Sequence, residues 1–224
     1  MTKILEKLLQ YRSAICLDGH IECDVLREIC LPIIAADGAA NTLIKNGIEP
    51  TVIIGDLDSV DNGLLKNRRH IRNESQESTD FEKALDYIEE KSLSPAIVFG
   101  IDGGYIDRVL GNISIFTNTK FVAVSKDMIF MMVDDNQILN LEVNTKLSIF
   151  GMPRCIIKSS GLKWELNGDE LFICGKNSHS NRAASDRVEL KISSGKALIF
   201  IYTKTISDAG VSNCLDGSNI SAIK

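Results

Sequence analysis

Three short runs with almost no polar position constrain this chain more than anything else in it. They are "LPIIAA" (31–36), "TVIIG" (51–55) and "PAIVFG" (95–100). A strand with one wet face alternates apolar and polar residues. These runs do not alternate, so they read as strands covered on both faces, which is the situation of a parallel sheet. Each is followed by glycine or aspartate and then by a helix-like segment. "SAICL" (13–17) reads as a further strand. "IECDVLREI" (21–29), "GAANTLIKN" (38–46), "STDFEKALDYIEE" (78–90) and "DRVLGNISIFT" (107–117) read as helices. Asp37 is placed as an N-cap and Gly47 as the C-terminal stop of the second helix. Thr79 and Glu82 have capping-box spacing, and Phe81, Ala84, Leu85 and Ile88 share one helical face. Alternating strand and helix predicts a three-layer α/β/α domain with a parallel sheet.

From about Phe121 the texture changes. "KDMIFMMVDDNQILNLEV" reads as a hairpin turning at Asp134–Gln137. "KLSIFG", "RCIIKSSG", "KWELNGDELFICG" and "DRVELKISSGKALIFIY" read as short strands separated by turn residues, with no helix among them. This is the pattern of an antiparallel β-sandwich. The predicted organisation is therefore an α/β domain over 1–133 and an all-β domain over 134–224, with a weakly periodic tail over 204–224 expected to be poorly ordered.

A chain of 224 residues is long enough for two such domains. The net charge of −5 supplies no footprint for nucleic acid. Its densest basic cluster, "KNRRHIR" (66–72), reads as a solvated face or loop. No apolar run approaches a membrane span, and the amphipathic start "MTKILEKLLQYR" lacks a signal-peptide core, so a cytoplasmic protein is expected. The six cysteines include no C-x-x-C pair. They read as buried free thiols, with Cys23 and Cys30 roughly on one helical face.

Ligands of open parallel sheets bind beyond the carboxyl ends of the strands. Asp37 follows one predicted strand, Asp56 and Asp58 another, and Asp102 and Asp107 a third. Asp80 opens a helix at the same edge. Singly, each reads as an acidic turn or a helix-capping residue. Jointly they place several carboxylates on one rim, where mutual repulsion calls for a cation. All-oxygen ligands suit Mg²⁺, which commonly shares its site with phosphates. Gly55, Gly103 and Gly104 would admit a nucleotide close to the backbone. Lys83, one helical turn beyond Asp80, and Arg108 are candidate phosphate partners, although a lone lysine at such a position is more often a surface residue. There is no G-x-x-x-x-G-K-[ST], no early G-x-G-x-x-G, no H-E-x-x-H and no G-x-S-x-G. His20, His70 and His179 form no metal triad by spacing, and His179 reads as a loop residue.

The segments "AADGAANTLIKNGIEPTVIIGDLDS", "STDFEKAL" and "GIDGGYIDRVLGNI", followed far downstream by "SSGLKWEL" and "NSHSNRA", resemble the thiamine pyrophosphokinase (thiamine diphosphokinase) family in content and order. The resemblance implies pyrophosphoryl transfer from ATP to thiamine, giving thiamine diphosphate and AMP with Mg²⁺. It implies metal and catalytic roles for Asp56, Asp58, Asp80 and Asp107. It places Asp37, Asn41, Lys83, Arg108 and Asn112 on the ATP side, and Trp164, Ser178, Ser180 and Asn181 on the thiamine side. It further implies a homodimer with thiamine at the subunit interface. An indole face attracts a cationic thiazolium, which suits Trp164, although without the resemblance a sandwich-core role for that residue is about as good. Tyr105 stands where the family has arginine, and Arg108 where it has histidine. Two alternatives stand beside this reading: a D-x-D nucleotide-sugar glycosyltransferase and a non-catalytic thiamine or nucleotide binder.

Overall fold

The computed structural model describes residues 11–203; the predicted N-terminal amphipathic segment, the tail 204–224 and Cys214 lie outside them. The chain divides into two compact units, one ending at Lys126 and the other starting at Asp127.

The first unit holds strands β1 (Ser13–Cys16), β2 (Ile33–Ala36), β3 (Val52–Gly55), β4 (His70–Arg72), β5 (Ala96–Phe99) and β6 (Val122–Ser125). Every residue of β1, β2, β3, β5 and β6 is buried, which is why their sequences carry no alternation. The strands are all parallel, in the spatial order β6–β5–β1–β2–β3–β4. Direction along the sheet reverses between β1 and β5, so the crevice at their carboxyl ends is the topological switch point. β4 belongs to the segment read as a solvated face or loop. It is a solvated edge strand, paired to β3 on one side only, so its side chains stay in water while its backbone joins the ladder.

The helices are α1 (Cys23–Glu28), α2 (Ala39–Lys45), α3 (Asn62–Leu65), α4 (Asp80–Glu90) and α5 (Ile106–Phe116). α1 ends before Cys30, so Cys23 and Cys30 do not share its face. Among the described residues, Cys16 and Cys155 are the buried thiols; Cys30 and Cys174 are exposed. α2 has Gly38, not Asp37, at its N-cap position. It ends as expected at Gly47, where φ is +72° and glycine meets no steric penalty. α4 has the full capping box: the Thr79 hydroxyl accepts from the Glu82 N–H, and the Glu82 carboxylate accepts from the Thr79 N–H. Its buried face is Phe81, Ala84 and Ile88 with Tyr87 and Lys83, while Leu85 is only half-buried.

The second unit is antiparallel and strand-rich: β7 (Met128–Val133), β8 (Gln137–Asn140), β9 (Lys146–Ser160), β10 (Asn167–Phe172), β11 (Ser178–Arg182) and β12 (Arg187–Tyr202). β7 and β8 do not form the expected hairpin. β7 pairs with the C-terminal part of β12 and β8 with its N-terminal part. "KLSIFG" and "RCIIKSSG" are one strand, β9, not two. Pro153 falls where the β9–β12 ladder is interrupted, so its missing N–H removes no bond to β12. β10 and β11 also pair with β9. The core of this unit includes Leu147, Ile149, Ile157, Leu171, Leu190 and Ile199.

Replacing Thr79 with alanine removes the α4 cap and is expected to cost about 1 kcal/mol. A lowered midpoint of urea denaturation, with α4 otherwise intact, checks it.

Candidate active site

The carboxyl ends of the parallel strands open into a cleft of about 590 Å³, a size that suits a small-molecule ligand. Asp37, Asp56, Asp58, Asp80, Lys83, Asp107, Arg108 and Asn112 line it. Each arrives there for a local reason. Asp37 is the first residue past β2, and its N–H still donates to the Ile54 carbonyl of β3 at 2.8 Å. It adopts a left-handed conformation (φ +42°), which short polar residues tolerate best. Asp56 and Asp58 follow β3. Asp80 and Lys83 lie on the first turn of α4, Asp107 and Arg108 on that of α5.

Asp37, Asp56 and Asp58 each offer an oxygen within 4.8 Å of the others. Gly55 makes this crowding possible, because a Cβ there would lie 2.9 Å from the Asp37 Cβ and 3.1 Å from Asp80 Oδ1. Its missing side chain therefore admits two carboxylates, not a nucleotide. The turn between Asp56 and Asp58 is held by the Asp58 N–H donating to Asp56 Oδ1 at 3.2 Å and the Ser59 hydroxyl donating to Asp58 Oδ1 at 2.9 Å. Asn41 stands behind the cleft and splints that turn. Its amide donates to the Ser59 carbonyl at 2.7 Å and its oxygen accepts from the Asp61 N–H at 3.0 Å.

Asp37 and Asp56 sit in different settings. Burial pushes the Asp37 carboxyl above its usual range, and the nearby Asp80 and Asp56 add to the shift. The Asp58 N–H holds the Asp56 carboxyl below its usual range, helped by the Gln76 amide and by Lys83. Lys83 is not a surface lysine. Its side chain is 4% exposed and its Nζ lies 3.0 Å from Asp80 Oδ1. A buried lysine needs such a partner, and Asp80 supplies it beside the acidic rim. The donor set around Asp37, Asp56 and Asp58 is all carboxylate oxygen, the chemistry a hard divalent cation requires. Asp37 Oδ1 is buried without a hydrogen-bond partner among the described residues, a cost that a metal bond would remove.

Asp102 does not line the cleft. Neither does Gly104, while the missing Cβ of Gly103 makes room for His20. Three residues of the site went unpredicted. Asp18 lines the cleft just past β1, and the strand-end rule applied to "SAICL" would have found it. Gln76, which donates to Asp56 Oδ2 at 3.3 Å, sits in a loop with no pattern to announce it. Ser59 is visible only as part of the D-x-D-S run.

In the β unit, Trp164 is 55% exposed, so the sandwich-core role is excluded. The Lys163 ammonium lies 4.9 Å from its ring centre. Asn181 is 1% exposed and binds the Trp164 backbone twice: its oxygen accepts from the N–H at 3.2 Å and its amide donates to the carbonyl at 2.7 Å. The same amide donates to Ser178 Oγ at 3.0 Å. Ser180 is in a left-handed conformation (φ +54°), and its N–H donates to Ser148 Oγ at 3.0 Å. His179 is on a strand, edge-on to Phe150 at 4.5 Å, and not in a loop.

Two family models match the chain in order: the thiamin pyrophosphokinase catalytic domain over residues 26–128 and the thiamin pyrophosphokinase vitamin B1 binding domain over residues 136–198. The chain belongs to the thiamine pyrophosphokinase family. It is 23% identical over 216 residues to thiamine pyrophosphokinase 1 of Arabidopsis thaliana, covering 80% of this chain and 79% of that one. To thiamin pyrophosphokinase 1 of Caenorhabditis elegans it is 29% identical over 188 residues, covering 75% and 76%. The fold is shared with the crystal structure of the Bacillus subtilis thiamine pyrophosphokinase, with a TM-score of 0.73, 22% identity and coverage of 86% of this chain and 99% of that one. The yeast thiamin pyrophosphokinase structure matches with a TM-score of 0.75 at 16% identity, over 90% of this chain and 89% of that one.

An acid whose pKa is raised by folding holds its proton more tightly when folded, so its ionisation costs stability as pH rises through the window above the unfolded value. Asp37→Asn removes that cost. Without divalent cations at neutral pH, the variant is expected to melt at or above the temperature of the unsubstituted protein. Added MgCl₂ should raise the melting temperature of the unsubstituted protein and raise that of the variant less. A thermal-shift titration measures both.

Proposed function

We infer that this chain transfers the pyrophosphoryl group of ATP to the hydroxyl of thiamine, producing thiamine diphosphate and AMP. The observation that carries the reading is the ordered match of both family domains, the first covering the acidic cleft and the second Trp164 and Asn181. In the reaction the thiamine hydroxyl oxygen bonds to the β-phosphorus of ATP. The bond from that phosphorus to the oxygen bridging it to the α-phosphate breaks, AMP leaves with that oxygen, and the hydroxyl proton passes to a carboxylate of the cleft. Such transfers depend on positioning and charge stabilisation more than on covalent help from the protein.

Mg²⁺ would be held by carboxylates drawn from Asp56, Asp58, Asp80 and Asp107, with Asp37 against them. Bound there, the ion supplies the positive charge that offsets the phosphate oxygens. Lys83, oriented by Asp80, lines the same cleft and is placed to meet a phosphate. Arg108 and Asn112 face the same cleft from α5 and are placed to meet the polyphosphate. Asn41 keeps the Asp56–Asp58 turn in shape. The α/β unit thus takes ATP and metal, and the β unit takes thiamine, with the thiazolium on the exposed Trp164 indole and with Ser178, Ser180 and Asn181 around it. We further propose a homodimer in which thiamine binds at the subunit interface; an exposed tryptophan on a buried asparagine support suits such an interface. The free thiols at Cys16, Cys23, Cys30, Cys155 and Cys174 suit a cytoplasmic setting. Among the described residues no helix is long and apolar enough to cross a membrane.

Purified protein with ATP, MgCl₂ and thiamine should yield AMP and thiamine diphosphate, and chelation by EDTA should stop turnover until Mg²⁺ is restored. ADP with thiamine monophosphate would overturn the reaction type. Tight thiamine binding without turnover would make the chain a non-catalytic homologue. Asp58→Ala is expected to abolish turnover with the circular dichroism spectrum unchanged. Trp164→Ala is expected to raise the thiamine KM by roughly tenfold, the scale of a partly desolvated cation–π contact. Because Trp164 is the only tryptophan, thiamine should also quench the intrinsic emission of the unsubstituted protein.

A further inference from the structure

The carboxylate that follows β5 turns away from the cleft. Asp102 Oδ2 accepts from the Ser125 hydroxyl at 2.9 Å, and Ser125 ends β6 at 4% exposure. The Asp102 carbonyl accepts from the His20 N–H, in the loop after β1, at 2.7 Å. The His20 ring completes the cluster, with Nδ1 3.6 Å from Asp102 Oδ2, too long for a hydrogen bond. The loops meet too tightly to slide. A Cβ on Gly19 would lie 2.2 Å from the Asp102 carbonyl oxygen, and one on Gly103 would lie 2.9 Å from the His20 nitrogen.

What this cluster holds still is the turn that begins one residue later. Gly103 and Gly104 both take positive φ, +104° and +72°, and lead directly into α5 with Asp107 and Arg108 on its first turn. Two consecutive glycines are the softest possible hinge, so the direction in which α5 starts depends on what anchors its approach. Asp102 Oδ1 is buried with no hydrogen-bond partner among the described residues. A group kept at such a cost belongs to a functional arrangement more readily than to packing.

We infer that Asp102 is a positioning residue: with Ser125 and His20 it clasps the ends of β1, β5 and β6, and so fixes the turn that delivers Asp107 and Arg108 to the cleft. Its kinetic consequence rests on the activity proposed above, whereas its structural consequence does not.

The test compares Asp102→Ala, Asp102→Asn and Ser125→Ala with the unsubstituted protein, by steady-state kinetics and by amide hydrogen exchange over residues 103–108. Asp102→Ala should lower kcat about tenfold or more, as small misplacements of reacting groups do. The thiamine KM should barely change. Ser125→Ala should do the same more mildly. Asp102→Asn keeps an oxygen to accept from Ser125 and should recover most of the activity. Amides 103–108 should exchange faster in Asp102→Ala and Ser125→Ala, with those of α4 unchanged. Ser125→Ala deletes only a hydroxyl and carries the test if Asp102→Ala does not fold. Unaltered exchange in Ser125→Ala overturns the clasp. Asp102→Asn as inactive as Asp102→Ala, with normal exchange, also overturns it by giving the charge itself the role. Should the unsubstituted protein form no thiamine diphosphate, the proposed activity falls, and the exchange measurement still decides the clasp.

Discussion

Parallel strands cannot be joined by tight turns. Each needs a crossover that leaves from its carboxyl end, and in this sheet six strands share that end on one edge. The remainder of the first unit follows from that constraint. A polar residue placed just past a strand reaches the same rim unless a partner turns it away, so Asp37, Asp56 and Asp58 meet although they come from two different strands. Crowding carboxylates is costly, and the fold offsets part of the cost with one buried ammonium, that of Lys83, paired with Asp80 from the helix crossing beneath. The rest is left open at Asp37, where an oxygen is buried without a partner. The geometry holds an excess of negative charge that a cation would relieve.

The strand–helix order of the first unit was legible because burial on both faces and helical periodicity are properties of short stretches. The capping box of α4 was legible for the same reason, since Thr79 and Glu82 are one turn apart. The gathering of aspartates at one rim was legible through topology alone. What could not be read was anything set by pairing at a distance. β7 and β8 look like a hairpin because a turn separates them, yet each finds its partner in the long strand β12. The two halves of β9 look separate because proline and glycine punctuate them, and only their pairing with β12 on both sides of Pro153 makes them one strand. Lys83 has an ordinary helix-surface sequence context, and its burial depends on what packs over it.

The candidate site shows the same division. Residue types announced the carboxylates, whereas their settings came from the fold. Asp37 and Asp56 are the same side chain at neighbouring strand ends. One has its carboxyl pushed up by burial and the other has it held down by a backbone N–H. Asp102 had the same sequence warrant as Asp107 and was assigned to the same rim. A single serine at the end of β6 turns it the other way.

Asn181 has a consequence for how the β unit can change. One buried side chain grips the backbone of Trp164 at both N–H and carbonyl and also holds Ser178. Residues far apart in the chain are thereby made into one mechanical part. Trp164 is more than half exposed, so a change of ring leaves the backbone grip of Asn181 in place. The asparagine cannot be changed so freely, because altering it shifts the platform and the serine together. Tuning of what this surface accepts is therefore open at position 164 and closed at 181.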